Sequence, residues 1–400
     1  MKEVGAIDDA EAMGLALSLA DAAAGTTWPN PTVGCVIVAD NEVVGRGVTS
    51  PPPGPHAEVH ALDEAGSRAR GATAYVTLEP CAHEGRTPPC VTSLLHAGVG
   101  RVVVAVADPH PLAAGGAAQL AAAGVSVRLG VGEDRAREQL AGFLRVAATG
   151  RPAIVVKLAL SIDGRIAAAD GTSQWLTSET TRNRAHALRA AVDGVVVGSG
   201  TVLADDPSLT VRLSGSGRLV DWVPPGLRQP MRVVLDRRAR TDAAARVYDA
   251  SAPSLAVVGR TVDAGHLARA GVEVVTVDAT ADDGGLAAAY AAVAARGCRS
   301  LLVEGGAQVA GATLAAGLAD RLIVHLAPVL LGDAGRAGLA RLPVPTLEDA
   351  PRWRLESFET LAGDALLTYV PALTAAAGGA GIEGVALPAP TLRDAPSSRT

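Results

Sequence analysis

Apolar residues recur with two alternating periods along the first part of the chain. Strands are predicted at 33–38, 43–48, 73–78, 101–107 and 125–129. The first two should form a β-hairpin with its turn at Asp40-Asn41. Helical periodicity predicts helices at 9–24, from about 56, at 89–97, at 113–123 and at 133–148. Because strands and helices alternate, we expect an α/β sandwich in which helices cover a sheet.

A second alternation begins after Thr149-Gly-Arg-Pro152, where proline ends a helical run and starts an extended segment. We predict a domain boundary there, with one domain at 1–148 and another at 152–370. The second is also α/β, with strands predicted at 153–160, 194–197, 232–236, 254–258, 273–277, 300–303 and 320–327, and helices at 178–191, 285–295 and from 307. Residues 371–400 are rich in Ala, Gly, Pro and Ser without a period, and we predict a disordered tail.

Composition narrows the classes of function. The 400-residue chain is 48% hydrophobic and 19% charged, which is typical of a globular protein. A net charge of −6 and 2% aromatic residues offer little to bind phosphate backbones or to stack bases, so nucleic acid is not an expected partner. Apolar runs fall short of the ~18–20 residues of a membrane span, and residues 1–9 lack a secretory signal. We therefore expect no membrane association and a cytoplasmic location.

The strongest chemical signal is His56-Ala-Glu58 combined with Cys81 and Cys90. In zinc deaminases one histidine and two cysteines hold Zn²⁺, and a nearby glutamate that is not a ligand moves protons. Three protein ligands leave the fourth tetrahedral position for water. Residues two apart on a helix point away from each other, so His56 and Glu58 can share a site only at a helix start, and both cysteines are expected near helix starts too. We predict three zinc ligands, His56, Cys81 and Cys90, and a proton-carrying Glu58.

Other interpretations of these residues stay open at the sequence level. His83 could supply a fourth ligand to a structural zinc site, which would leave Glu58 without a role. His56 and His60 stand four residues apart, as in a helical metal pair, but a zincin needs glutamate directly after the first histidine and this chain has alanine there. The remaining cysteines are predicted to be ordinary buried side chains: Cys35 and Cys298.

Two glycine-containing segments of the second domain follow predicted strands. Glu304-Gly-Gly306 opens a predicted helix, where unpaired amides and the positive end of the helix dipole can hold a phosphate, although two glycines after a strand can equally be a plain turn. Gly198-Ser-Gly-Thr201 is a second candidate loop. Neither has the Gly-x-Gly-x-x-Gly spacing of an ordinary dinucleotide-binding fold, so the pattern alone does not identify the ligand.

Several of these motifs resemble those of the bacterial bifunctional riboflavin-biosynthesis deaminase/reductases. The motifs are Asn30-Pro-Thr-Val-Gly34, His56-Ala-Glu58, Pro80-Cys-Ala-His-Glu-Gly-Arg-Thr-Pro-Pro-Cys90, Lys157-Leu-Ala-Leu-Ser-Ile-Asp-Gly164, Gly200-Thr-Val-Leu-Ala-Asp-Asp-Pro-Ser-Leu209 and Ala327-Pro-Val-Leu-Leu-Gly332. The chain departs from the family after Pro111, where a segment is one residue shorter and lacks a basic residue, and at Ser199, where many members have valine. The resemblance implies a cytidine-deaminase-like α/β/α sandwich followed by a dihydrofolate-reductase-like α/β domain.

The resemblance also implies two cofactors, Zn²⁺ in the first domain and NADPH in the second. NADPH-contacting positions are held by Ala159, Trp175, Thr201, Asp205, Gly306, Ala307, Gln308, Val309, Ala310, Gly311 and Ala312. Substrate-contacting positions are held by Ser173, Arg189, Leu209, Arg212 and Glu304. The two arginines suit a ribose phosphate, because guanidinium groups donate paired hydrogen bonds to it. Lys157 and Asp205 are both candidates for a proton donor.

The implied reactions act on one small phosphoribosylated pyrimidine. The first domain would remove the 2-amino group of 2,5-diamino-6-(5-phosphoribosylamino)pyrimidin-4-one, and the second would reduce the ribosyl group to ribityl with NADPH. The chain is compatible with a homo-oligomer, but the sequence does not define the number of subunits. Two rival functions stay open: a zinc deaminase of another nucleobase with a degenerate second domain, and a non-catalytic module that senses a nucleotide.

Overall fold

The chain divides between Gly150 and Arg151 into two units, each with its own sheet. A computed structural model describes residues 7–84, 88–110, 113–212, 228–281 and 283–372. The disordered tail was predicted at 371–400. Its first residue, Pro371, is the last residue of a strand, and residues 373–400 lie outside the described residues. The limits predicted for the two domains stay a prediction.

The first unit contains five strands and six α-helices among its described residues. They are α1 (Asp9–Ala22), β1 (Gly34–Ala39), β2 (Glu42–Val48), α2 (Ala57–Ala65), β3 (Thr73–Leu78), α3 (Cys90–Ala97), β4 (Arg101–Val106), α4 (Gly116–Ala122), β5 (Ser126–Leu129), α5 (Glu133–Gln139) and α6 (Ala141–Thr149).

The sheet of this unit has the order β2-β1-β3-β4-β5. β1 is antiparallel to β2 and β3, whereas β3, β4 and β5 are mutually parallel. Asp40 and Asn41 have φ values of 50° and 64°, as the tightest right-twisted hairpin turns require. Buried residues of the sheet and of the helices, such as Ile37 and Met13, form one apolar core. The predicted α/β sandwich is confirmed.

One predicted helix of this unit is wrong in extent. The pattern at 133–148 indicates a single helix, but the chain forms α5 and α6, which are separated by Leu140. Leu140 has φ −92° and ψ 8° and is 2% exposed. The change of direction there allows Ala136 and Leu144, on either side of it, to reach the same core. Because Leu140 is itself apolar, the break in the helix does not interrupt the hydrophobic periodicity of the sequence.

The second unit is built around a longer sheet. Its described elements are β6 (Ala153–Ser161), β7 (Arg165–Ala167), α7 (Glu179–Ala190), β8 (Gly194–Gly198), α8 (Ser199–Asp205), β9 (Met231–Leu235), β10 (Ser254–Gly259), α9 (Gly265–Arg269), β11 (Glu273–Val277), α10 (Leu286–Ala294), β12 (Ser300–Val303), α11 (Ala307–Ala315), β13 (Arg321–Ala327), β14 (Arg336–Ala337), β15 (Trp353–Leu361) and β16 (Asp364–Pro371).

Nine strands form the main sheet in the order β11-β10-β9-β8-β12-β6-β13-β16-β15. In this order, the first seven strands, from β11 through β13, are parallel to one another. The last two, β16 and β15, form a hairpin that is antiparallel to them at β13. The carboxyl ends of the parallel strands therefore meet at one edge of the sheet, where ligands of open α/β sheets bind. Every strand predicted for this domain is present, and the predicted α/β class is confirmed.

The sequence pattern missed several short or exposed elements. The segment predicted as a loop at 198–201 begins α8 instead, with Gly198 as the residue before the helix. The hairpin of β15 and β16 was not predicted, because seven of the nine residues of β15 are exposed, the other two are half-buried, and the strand shows no apolar alternation. No helix in the described part of the chain combines the length and apolar character needed to cross a membrane.

Candidate functional site

The three predicted zinc ligands lie together in the first unit. His56 is the residue before α2 and Cys90 is the first residue of α3, whereas Cys81 lies in the irregular segment after β3. His56 Nδ1 is 3.2 Å from Cys90 Sγ and 3.6 Å from Cys81 Sγ, and the three ligand atoms all lie within 4.8 Å of one another. An imidazole nitrogen and two sulfurs at this separation are a donor set that fits Zn²⁺.

Both cysteines lie near a helix start, as predicted, although only Cys90 is itself part of a helix. The sulfur of Cys81 nevertheless benefits from a helix start, because the backbone N–H of Cys90 donates to Cys81 Sγ at 3.4 Å. The thiol of Cys90 also hydrogen-bonds to this sulfur, which outweighs burial and lowers the pKa of Cys81 to about 4. The same hydrogen bond raises the pKa of Cys90.

Glu58 lies in the first turn of α2, as predicted, and it is 3% exposed. Burial raises the pKa of its carboxyl group above the usual value for glutamate. Among the described residues it does not join the cluster of possible ligands. A carboxyl group beside a metal site, but outside its ligand set, suits proton transfer.

The alternative ligand sets are not assembled. His83 is exposed and lies outside the ligand cluster found among the described residues. His60 Nε2 is 2.8 Å from Ser50 Oγ, so this ring is engaged elsewhere. Cys35 and Cys298 are fully buried, as predicted. The geometry therefore favours a three-ligand site with an open position.

Glu79 is a functional candidate that the sequence analysis missed. It follows β3 and is buried, and its carboxylate accepts three backbone hydrogen bonds: from Asp108 N at 2.9 Å, from Ala117 N at 2.8 Å and from Gly115 N at 3.2 Å. These bonds connect the segment that carries Cys81 to the residues that follow β4 and to the start of α4. An acidic residue directly after a buried apolar strand is the signal that could have identified it.

The second unit has a cavity of about 890 Å³ at the carboxyl edge of its sheet. Ten of the residues predicted for NADPH or substrate line it: Ala159, Ser173, Thr201, Asp205, Glu304, Gly306, Ala307, Gln308, Val309 and Ala312. Gly306 has φ 30° and precedes α11, so the chain turns there and presents the first amides of the helix. A cavity of this size with an amide-lined turn fits a dinucleotide such as NADPH.

Three further predicted NADPH residues occupy other positions. Trp175 is 68% exposed, and the Arg182 guanidinium carbon lies 4.4 Å from the centre of its ring. Ala310 is buried in the apolar core. Gly311 packs so closely that a Cβ atom there would lie 1.7 Å from the carbonyl oxygen of Ala340. Ala310 and Gly311 therefore pack α11 against the rest of the unit.

The predicted substrate residues outside the cavity lining have partners of their own. Arg189 donates to both carboxylate oxygens of Glu304, from Nε at 2.6 Å and from Nη2 at 2.7 Å. Arg212 is exposed and donates to Ser208 Oγ at 2.7 Å. Leu209 is 3% exposed and packs in a small apolar cluster. The two arginines predicted to share a phosphate thus have different environments in this structure.

Lys157 lies at the cavity beside this ion pair. Burial lowers the pKa of its ammonium group, and Glu304 opposes that effect. Although burial disfavours the charge of Glu304, the Arg189 guanidinium holds the pKa of that carboxyl below its usual value. The cavity therefore contains a lysine that releases its proton more readily than an exposed one, next to a carboxylate that stays ionised.

Comparisons with known proteins cover both units. Residues 6–106 match the cytidine and deoxycytidylate deaminase zinc-binding region, and residues 152–367 match the RibD C-terminal domain. The chain is 43% identical over 364 residues to the riboflavin biosynthesis protein RibD of Escherichia coli, covering 90% of this chain and 98% of that protein. It is also 43% identical over 372 residues to RibD of Mycobacterium tuberculosis, covering 92% of this chain and 99% of that protein.

Solved structures agree along the length of the chain. A structure of Acinetobacter baumannii RibD is similar with a TM-score of 0.83 and 38% identity, and it covers 91% of this chain and 99% of that one. A diaminohydroxyphosphoribosylaminopyrimidine deaminase/5-amino-6-(5-phosphoribosylamino)uracil reductase from Thermotoga maritima gives 0.78 and 29%, with the same coverage. The chain thus belongs to the RibD family of bifunctional riboflavin-biosynthesis enzymes, with a zinc-binding deaminase unit followed by an NADPH-dependent reductase unit.

Proposed function

We propose that the first unit hydrolyses 2,5-diamino-6-(5-phosphoribosylamino)pyrimidin-4-one to the corresponding uracil and ammonia, and that the second unit reduces the ribosyl group of that product to ribityl with NADPH. The observation that carries this proposal is the grouping of His56, Cys81 and Cys90 within 4.8 Å beside buried Glu58, in a chain whose second unit has a dinucleotide-sized cavity.

His56, Cys81 and Cys90 would hold the zinc ion, which when bound supplies a water of lowered pKa and polarises the reacting carbon. Glu58 moves one proton of the attacking water to the ring nitrogen and the other to the departing amine. Burial raises the pKa of its carboxyl group, which favours the protonated form that the transfer requires. One water is consumed and one ammonia is released, so the atoms balance.

In the reductase unit we assign binding and proton transfer to separate groups. The turn at Gly306 binds the coenzyme pyrophosphate through backbone amides, and the exposed guanidinium of Arg212 binds the substrate phosphate. Glu304 and Ser173 contact the sugar, with Arg189 positioning Glu304. Of the two proton-donor candidates, we favour Lys157, because it is half-buried in the cavity lining and its pKa is lowered, whereas Asp205 is exposed.

The proposal is tested by giving the purified protein the diamino substrate with and without NADPH, and identifying products by mass. We expect the uracil and ammonia without NADPH, and the ribityl product with it. Deamination without any NADPH oxidation would favour a nucleobase deaminase with a degenerate second unit. Binding without either product would favour a nucleotide-sensing module. Glu58→Gln serves as the control for contaminating deaminases.

We further propose that the protein acts in the cytoplasm on this small molecule without nucleic acid. All four cysteines are buried and none of them forms a disulfide, which is compatible with a reducing compartment. Cell fractionation tests the location. The number of subunits is open, and light scattering on the purified chain decides between a monomer and a homo-oligomer.

A further inference from the structure

An irregular segment, residues 206–212, follows α8 and carries Arg212 at its end. The backbone N–H of Val211 donates to Gln229 Oε1 at 2.7 Å, and the Val211 carbonyl accepts from Gln229 Nε2 at 3.1 Å. The backbone N–H of Arg212 donates to His186 Nδ1 at 3.2 Å. Three consecutive backbone polar groups are therefore paired with two side chains, which come from distant parts of the chain and have no role in the mechanism above.

The same segment is joined to the reductase cavity through Arg189. His186 and Arg189 are three residues apart on α7, so their side chains lie on the same side of the helix. Arg189 Nη1 donates to the Thr210 carbonyl at 3.2 Å, while its Nε and Nη2 bind the carboxylate of Glu304 in the cavity lining. The backbone that leads to Arg212 is thereby fixed relative to a carboxylate of the cavity.

The guanidinium group of Arg212 is held at one nitrogen. Its Nη1 donates to Ser208 Oγ at 2.7 Å and to Thr210 Oγ1 at 3.2 Å. Within the described part of the chain, its Nε and Nη2 have no hydrogen-bond partner. This is the edge of the group that Arg189 presents to Glu304, and it suits paired hydrogen bonds to a phosphate equally well.

Two residues of the segment adopt a backbone conformation that side chains disfavour. Asp206 has φ 39° and Leu209 has φ 52°, in the left-handed region that glycine adopts most readily. Contacts hold both of them: Asp206 Oδ1 accepts from the backbone N–H of Arg246 at 2.8 Å, and Leu209 is buried in an apolar cluster. Such conformations persist where the surrounding contacts over-determine them. The segment therefore has its shape before a substrate binds.

His186 can accept the hydrogen bond because its imidazole is neutral. Burial lowers the pKa of His186 to about 4, the charges of Arg189 and Arg212 act in the same direction, and Glu304 opposes them. At neutral pH the ring therefore keeps a lone pair for the backbone N–H of Arg212. An imidazolium would lose that lone pair and would repel the two guanidinium groups beside it.

We propose that His186 and Gln229 are positioning residues of the reductase, which fix the backbone of Val211 and Arg212 so that the Nε–Nη2 edge of Arg212 faces the substrate phosphate. This inference rests on the proposed function, which assigns that phosphate to Arg212. It adds two residues whose contacts are with the backbone of the segment. Their effect on the reaction should therefore pass through Arg212.

The main test measures reduction of the deaminated substrate by the full chain with His186→Leu, His186→Asn or Gln229→Leu. Both leucine variants remove hydrogen bonds to the segment, so the KM for this substrate should rise about threefold to tenfold, with kcat and the KM for NADPH unchanged. His186→Asn is the matched control and should resemble wild type, because its Oδ1 can replace Nδ1 as the acceptor. With the substrate that lacks its phosphate, all three variants should match wild type. Equal losses on both substrates, or an asparagine variant as impaired as His186→Leu, would overturn the inference.

A double-mutant cycle tests whether His186 acts through Arg212. In the Arg212→Ala background, His186→Leu should cause no further rise in KM, because no guanidinium remains to be positioned, and an additive rise would overturn the inference. Calorimetry with the deaminated substrate in the absence of NADPH repeats the comparison without turnover. Weaker binding by His186→Leu that depends on the substrate phosphate, in a protein whose wild type does not oxidise NADPH, would leave the inference standing and contradict the proposed reductase activity.

Discussion

The two sites of this chain differ in how much of their chemistry is already assembled. In the deaminase unit three ligand atoms lie within 4.8 Å of one another, with buried Glu58 beside them. In the reductase unit a cavity of about 890 Å³ is lined by charged and apolar groups, and Glu304 in that lining is paired with Arg189. The first site needs one ion to be complete, whereas the second must accommodate two large molecules.

This difference predicts different responses to substitution. A metal site depends on every one of its few ligands, so removing one should abolish activity. A large cavity spreads binding over many contacts, so removing one should weaken binding by a limited factor. Because no residue of the first unit is assigned to hydride transfer, each response should also be confined to its own reaction.

The largest effect is expected for Cys81→Ser and Cys90→Ser. Each removes a thiolate from the three-ligand set, so zinc content measured by elemental analysis should fall to background and ammonia release should disappear. NADPH oxidation on the deaminated substrate should persist. His83→Ala is the matched control and should retain zinc. Full zinc in both serine variants, or zinc loss in the control, would contradict the ligand assignment.

The next effect is expected for Glu58→Gln, which preserves shape but removes the proton carrier. Ammonia release should fall by about 10²–10⁴-fold, the usual contribution of a general acid–base group. Zinc content and NADPH oxidation on the deaminated substrate should match wild type. Near-normal deamination would assign the proton transfer to another group, and loss of both activities in a folded variant would mean that the two reactions share a site.

A smaller effect is expected for Arg212→Ala in the reductase reaction. Losing the guanidinium should raise the KM for the phosphorylated substrate by about tenfold or more, with little change in kcat or in the KM for NADPH. The same substrate without its phosphate should show no difference between wild type and variant. Equal losses for both substrates would show that the residue acts on the structure instead. Ammonia release should be unaffected.

The smallest effect concerns the stability of the first unit alone. Asp9 accepts hydrogen bonds from Tyr75 at 2.9 Å, from Arg101 at 2.7 and 2.8 Å and from Arg128 at 2.7 Å. The Arg101 hydrogen bonds outweigh burial and lower the pKa of Asp9 to about 2. A carboxyl with a lowered pKa stabilises the fold above its unfolded pKa near 4, and this stabilisation is lost as the pH falls toward 2.

Asp9→Asn should therefore unfold at lower urea concentration than wild type at pH 7, with a loss of about 1–3 kcal/mol in the free energy of unfolding. The difference should shrink between pH 4 and pH 2. NADPH oxidation at pH 7 should not change, because Asp9 belongs to the deaminase unit. A difference that is independent of pH would show that the carboxylate charge is not what stabilises this contact.

The same contrast explains what the sequence could predict. The zinc ligands were found because histidine and paired cysteines are rare, and because proline and glycine mark the segment starts around them. The Arg189–Glu304 pair was not found, since its partners are 115 residues apart and each is ordinary on its own. Glu79 was missed for a related reason: it satisfies backbone N–H groups, which carry no sequence signature.

Fold prediction followed the same rule. Strands with apolar runs, such as β3 and β12, agree with the predicted limits to the residue. The break at Leu140 and the exposed strand β15 were not predicted, because tertiary packing decides both and the local period does not change there. The sequence did not indicate that Arg237, Arg238 and Arg240, which follow β9, line the cavity, because exposed arginines are common in any chain.

The close contact at Gly311 has a consequence for engineering a more heat-resistant enzyme. Replacing a helical glycine by alanine ordinarily stabilises a protein by about 0.4–1 kcal/mol. Gly14 in α1 allows that gain, because nothing lies within 4 Å of a Cβ atom there. At Gly311 the added methyl group would overlap the Ala340 carbonyl, so α11 would have to move away from the residues on which it packs. The backbone amides at the start of α11 would move with it. Substitutions made to stabilise the protein should therefore replace Gly14 by alanine and leave Gly311 unchanged.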